Sequence, residues 1–222
     1  MELLLDTADL KEITEGLRDY PVFGVTTNPT IFQAEGEIDF FERLREIRGL
    51  IGAKRSLHVQ VVGDTADQMV KEAERIRFEV DDDVWIKIPV TEAGLQAIRR
   101  LSAQGVNITA TAILSPLQGL LAMMAGARTL AVYYNRMQTN GEDPEAAIRL
   151  LSSRKSAGCT ILAASLKGTA QIIASYAAGA DACTVSPALL HQALIQDAVV
   201  KAVDGFRASW HAIHGDALIT DL

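Results

Sequence analysis

Cysteine is scarce. The 222-residue chain has two, Cys159 and Cys183, each inside an apparent core segment and without metal-ligand spacing. They read as reduced packing thiols of a cytoplasmic protein, not as a disulfide framework or a zinc pair. Positive charge is in the minority: 21 Lys and Arg stand against 28 Asp and Glu, for a formal net charge of −7. That balance argues against nucleic acid and anionic membranes as partners, since both call for basic faces. A local basic pocket for a small anionic substrate remains compatible with it. No apolar run is long enough to span a bilayer, and the LLAMMAG stretch around Ala122 is too short. The start, MELLLDTADLKE, lacks a basic region and Asp6 interrupts its apolar run, so no signal peptide is expected. There is no GxGxxG or P-loop signature. His58, His191, His211 and His214 show no zinc pattern, so no metal and no cofactor are expected. Asp81, Asp82 and Asp83 are adjacent and point in different directions, which reads as a solvated loop.

What the sequence does have is alternation. Eight short runs rich in Val, Ile, Leu and Thr recur along it, at 2–6, 23–27, 57–62, 84–88, 107–114, 129–134, 160–165 and 182–186. Several are nearly continuous in apolar character, as strands covered on both faces should be. Helix-like segments separate them. Thr7 or Asp9 can cap the first; Ser115-Pro116 and Asp143-Pro144 are start signals, and Gly105 is a stop signal. Strand-then-helix repeated eight times predicts parallel strands joined by crossovers, an α/β fold of the (β/α)8 TIM-barrel type. The prediction is one barrel domain over 1–222, with an additional C-terminal helix at about 198–214.

The chemistry of such a barrel sits at the C-terminal strand ends, where side chains alternate between the interior and the helix layer. Lys87 lies inside the apolar run VWIKIPV. If it points inward, Ile86 and Ile88 face the helices. The same parity turns Asp6, Thr26, Asn28, Gln60, Thr109, Thr111, Tyr133, Ser165, Thr184 and Ser186 inward. It assigns Leu5, Val25, Val59, Val61, Val132 and Ala164 to the helix side. A lysine in a partly apolar pocket has its pKa lowered, because desolvation penalises the ammonium. Its free amine can then attack a carbonyl and form a Schiff base. Asp6, Tyr133 and a water held by Gln60 and Thr111 are candidates for the proton transfers. Each has a plainer reading too: Asp6 as a helix cap, Tyr133 and Gln60 as packing residues, Lys87 as one half of an ion pair. Arg136 after the sixth run, with Ser165 and Lys167 after the seventh, suggests a phosphate site.

Several of these stretches together resemble the fructose-6-phosphate aldolase and small transaldolase family of class I aldolases. They are LLLDTAD, GVTTNPTI, HVQV, WIKIPVT, TAI, YYNR and AASLK. The resemblance implies a Schiff-base lysine at Lys87, with Asp6, Asn28, Gln60, Thr111, Tyr133 and Ser165 in the active site and Arg136 and Lys167 as phosphate contacts. The implied partner is a small sugar or sugar phosphate. A ring-based homo-oligomer, pentamer or decamer, is implied as well, with the C-terminal helix reaching to a neighbouring subunit. Transaldolases of the family tend to carry a glutamate and a phenylalanine where this chain has Gln60 and Tyr133, so it resembles the free-aldolase branch. ASLK in place of the commoner ASFK, and the bulky Trp85 and Tyr134, depart from the pattern and bear on substrate size and phosphate preference. The expected activity is cleavage of a ketose phosphate such as fructose 6-phosphate into dihydroxyacetone and glyceraldehyde 3-phosphate. The alternatives are a transaldolase and a non-catalytic sugar-phosphate-binding barrel.

Overall fold

The computed structural model describes residues 1–222 as two compact units, Met1–Pro187 and Ala188–Leu222. In the first, eight parallel strands close in sequence order into a barrel. They are β1 (Glu2–Asp6), β2 (Val22–Thr26), β3 (Ser56–Gln60), β4 (Trp85–Pro89), β5 (Ile108–Ile113), β6 (Thr129–Tyr133), β7 (Thr160–Ala164) and β8 (Ala182–Val185). The (β/α)8 expectation is met. The intervening helices are α1 (Leu10–Asp19), α2 (Pro29–Ala34), α3 (Phe40–Ile51), α4 (Ala66–Glu79), α5 (Glu92–Ser102), α6 (Pro116–Met124), α7 (Tyr134–Thr139), α8 (Pro144–Arg154) and α9 (Thr169–Ala177). No helix is long and apolar enough to cross a membrane.

Capping fixes where strands give way to helices. Asp9, not Thr7, caps α1, accepting from the Glu12 amide. Thr65 and Gln68 form a capping box at α4, and Ser115 and Asp143 cap α6 and α8 ahead of a first-turn proline. Two short helices, α2 and α7, escape the sequence periodicity. Six residues are too few for a 3.6-residue repeat to register. Tyr134 therefore opens α7 instead of closing β6. The Asp81–Asp83 run sits in a turn where Arg48 pairs with Asp81 and Arg77 with Asp82.

Two apolar layers result. The outer one, between strands and helices, includes Leu5, Val25, Val59, Ile86, Ile88 and Val132, all fully buried. The inner one is small: Leu4, Ala131, Leu162, Ala164 and Ala182, with Tyr133 packed against them. Two of these alanines, Ala131 and Ala164, leave volume near the strand ends that larger side chains would fill. Ala164 thus faces the interior, contrary to the sequence parity. The reason is Ser165, whose φ of +58° is left-handed and breaks the alternation, so both residues turn inward. Ala112, at φ +59° in an irregular stretch of the β5–β6 pairing, does the same beside Thr111. Ser186 is a second correction: it lies past the end of β8 and is exposed, not turned into the barrel.

The C-terminal unit holds α10 (Pro187–Leu194), apart from its first residue, and α11 (Asp197–His214). The chain after α11 folds back on it, Trp210 Nε1 donating to the Ala217 oxygen at 2.6 Å. Val199, Val203, Phe206, Trp210 and Ile213 recur along α11 at alternating steps of four and three, one stripe of the helix.

Candidate active site

The strand ends enclose a cavity of about 410 Å³. Its walls bring together all nine sequence-predicted site residues: Asp6, Asn28, Gln60, Lys87, Thr111, Tyr133, Arg136, Ser165 and Lys167. They arrive from β1, the β2–α2 junction, β3 to β6, α7 and the β7–α9 loop. A second cavity of about 420 Å³, walled by Phe32, Phe40, Phe41 and Val61, shares Asn28 and Gln60 with the first. It contains neither Lys87 nor Tyr133, so the chemistry belongs to the first.

Lys87 is placed by register. It sits opposite Gln60 on one side and Thr109 on the other, and the residue is 5% exposed. Its Nζ donates to the Thr27 main-chain oxygen at 2.7 Å and makes no ion pair. Burial lowers its pKa below the usual lysine range, and the negative charge of Asp6 opposes this in part. Beneath it, His58 is stacked on Trp85 with ring centroids 5.3 Å apart, and Nδ1 lies 2.8 Å from Thr109 Oγ1. Burial first, then the positive charges of Lys87 and Arg48, push the His58 pKa down to about 3. A neutral imidazole therefore lies under the lysine at neutral pH.

The structure separates Asp6 from its plainer reading. It caps nothing; Oδ1 accepts from Thr26 Oγ1 at 2.6 Å, and Thr26 Oγ1 lies 2.6 Å from Thr184 Oγ1. Asp6 is thus oriented inside the barrel, at the wall of the cavity. Asn28 is the residue that caps: its Oδ1 accepts from the Ile31 amide at 3.1 Å at the start of α2. Its amide nitrogen is what remains for a ligand. Thr111 Oγ1 donates to the Tyr133 hydroxyl at 3.0 Å. Gln60 Oε1 is buried and unpartnered, an acceptor whose desolvation nothing in the fold offsets.

The outer wall is cationic. The Arg136 guanidinium lies 4.9 Å from the Tyr133 ring centroid, a cation–π contact that holds it over the cavity. Gln171 ties the other arm down: its Oε1 accepts from the Lys167 amide at 2.7 Å, while Nε2 donates to Asn135 Oδ1 and Gln138 Oε1 of α7. One side chain thus joins the loop carrying Lys167 to the helix carrying Arg136. Sequence reading missed Gln171, and it missed the Thr27 oxygen, a main-chain group that residue identity does not advertise.

An unpaired buried amine facing a carboxylate, a hydroxyl pair and two cations can attack a carbonyl, move protons and hold an anionic end. The family model described as "Transaldolase/Fructose-6-phosphate aldolase" matches residues 3–217. A protein of Streptococcus pneumoniae (strain ATCC 700669 / Spain 23F-1), named "Probable fructose-6-phosphate aldolase", is 45% identical over 222 residues, covering 99% of this chain and 100% of that one. This chain belongs to the transaldolase/fructose-6-phosphate aldolase family.

Proposed function

We propose that the protein is a cofactor-independent class I aldolase that cleaves, and in reverse forms, fructose 6-phosphate or a close ketose phosphate. The observation that carries the reading is the state of Lys87: buried, unpaired by any carboxylate, and held at the cavity by a neutral acceptor. Its amine attacks the ketone carbon to give a carbinolamine, and the carbinolamine hydroxyl takes up a proton and leaves as water, giving a protonated imine. Asp6 accepts the proton from the hydroxyl beyond the scissile bond. That carbon–carbon bond then breaks, an aldehyde such as glyceraldehyde 3-phosphate leaves, and its electron pair stays as an enamine on Lys87. Tyr133, through a water accepted by Gln60 Oε1 and Thr111, returns a proton to the enamine carbon. Water then hydrolyses the imine, releasing dihydroxyacetone and the free amine. Asn28 holds substrate hydroxyls through its amide nitrogen.

Arg136, Ser165 and Lys167 take the phosphate end. Charge-assisted bonds of this kind contribute about 1.5–3 kcal/mol each. Arg136→Ala is therefore expected to raise KM for fructose 6-phosphate by about 10- to 100-fold, with little change for an unphosphorylated ketose. Equal losses on both donors in steady-state assays would remove Arg136 from the phosphate site.

The alternative within the family is transaldolase, in which an aldehyde acceptor takes the enamine. The Thr111–Tyr133 pair favours the free aldolase, because a placed hydroxyl gives the enamine a proton source. Incubation with fructose 6-phosphate and no acceptor is expected to release glyceraldehyde 3-phosphate over many turnovers. Release of one equivalent per site, continuing only when an acceptor aldehyde is added, would make it a transaldolase. We place the enzyme in the cytoplasm, where sugar phosphates and reduced thiols such as Cys159 and Cys183 belong. We take it to be a homo-oligomer, pentamer or decamer, with the apolar stripe of α11 covered by a second copy; Val199 and Phe206 on that stripe are exposed in the single chain.

A further inference from the structure

Thr27 stands between the last residue of β2 and the cap of α2, and it is fully buried. Its amide donates to the His58 main-chain oxygen at 2.9 Å, continuing the β2–β3 ladder by one rung. Its hydroxyl donates to the same oxygen at 3.0 Å. The ladder needs only the first of these bonds. The second ties the side chain to β3, so the residue that carries this carbonyl is anchored at two atoms. The group it holds is the carbonyl that accepts from Lys87 Nζ at 2.7 Å.

That carbonyl matters at more than one stage. A lysine amine has hydrogens to spare, and an acceptor on one of them leaves the lone pair to attack. Once the imine forms and is protonated, the nitrogen keeps a single hydrogen, lying in the plane of the C=N bond. If that hydrogen stays on the Thr27 oxygen, the in-plane position of the substrate carbon is set, and the carbonyl dipole faces the positive nitrogen. A buried iminium N–H with no acceptor would be strongly disfavoured. We propose that Thr27 is a positioning residue of the reaction: its main-chain oxygen holds the Lys87 nitrogen through the amine and iminium stages, and its hydroxyl keeps that oxygen in place. The proposal rests on the Schiff-base reading.

The test compares Thr27→Val, which removes the hydroxyl and keeps the β-branched shape, with Thr27→Ser, which keeps the hydroxyl. Thr27→Ala removes the hydroxyl with less bulk, so that misfolding of the valine variant does not end the comparison. Two quantities are read: the rate of borohydride trapping with dihydroxyacetone, and the pH profile of kcat. The charged and titratable groups around Lys87 are Asp6 on β1, His58 on β3, Tyr133 on β6, and Arg136 and Lys167 at the cavity rim, none altered in these variants. Loosening the carbonyl weakens its hold on the ammonium as well as on the iminium. Valine and alanine are expected to lower the plateau kcat and the trapping rate about tenfold, with KM little changed, and to move the acid limb to lower pH. Serine is expected to restore both. A purely structural defect that admitted water would move the limb to higher pH, because a hydrated ammonium is favoured. Wild-type trapping rate and pH profile in the valine and alanine variants, or a limb moved upward, would overturn the role of Thr27. Failure of wild-type protein to form any adduct would instead remove the Schiff base itself.

Discussion

Lys87→Met is expected to abolish turnover while leaving the barrel folded and no less stable. Methionine matches the length of the lysine stem and can lie in the same slot between the interior wall and Thr27. What it removes is the nucleophile, for which no neighbour substitutes: His58 is beneath it and held neutral, and Lys167 is out at the rim. The stability of this variant carries a pH signature. Burial lowers the folded-state pKa of Lys87 below the ordinary lysine value of 10.5, while the unfolded chain keeps that value. The unfolded state therefore binds the proton more readily, and the lysine destabilises the fold increasingly as pH falls from 10.5 towards its folded pKa, below which the penalty is constant. Above 10.5 both states are neutral and the penalty is gone. Methionine has no such dependence. Thermal unfolding from about pH 6 to about pH 10 should show the variant more stable than wild type at the low end, with the gap closing as pH rises. A variant less stable than wild type by an amount that stays flat over this range would mean that Lys87 is held as a favourable ion pair, which is not how a Schiff-base nucleophile is kept.

Tyr133→Phe carries the second large effect. The phenyl ring keeps the packing against Ala131 and Ala164 and the platform under Arg136, so the phosphate arm should stay where it is. The hydroxyl that Thr111 approaches is lost. If Tyr133 supplies the proton to the enamine, acceptor-free release from fructose 6-phosphate falls by about 100-fold, the range in which a placed acid contributes. Trapping of dihydroxyacetone on Lys87 persists, and exchange with an added aldehyde survives better than free cleavage, because the acceptor replaces the proton. Steady-state assays with and without acceptor separate the two. An equal fall in both, with trapping lost, would move Tyr133 to the steps that form the imine.

The sequence carried the architecture and most of the site because both follow from alternation. Lys87 between Ile86 and Ile88 could point only one way if the isoleucines were to be covered, and all three are placed accordingly. The reading failed where alternation does. Ser165 and Ala112 are left-handed, so their strands present two consecutive residues to the cavity, and Ala164 was misassigned for that reason. Neither residue is a glycine, so composition gave no warning of the turn. Asp6 and Asn28 show a different limit. Each type can cap a helix or line a site, and only distances show that Asp6 bonds Thr26 while Asn28 does both jobs. Gln171 and the Thr27 oxygen act on the site through bonds that depend on tertiary placement, beyond the reach of any residue pattern.

The role of Lys87 as an electrophile trap is the centre of this account. Protein incubated with dihydroxyacetone and borohydride, digested and mapped by mass spectrometry, should carry one reduced adduct per chain, on the peptide containing Val84 to Val90 and at Lys87 within it. An adduct on another lysine, or none under conditions where acceptor-free cleavage proceeds, would contradict it.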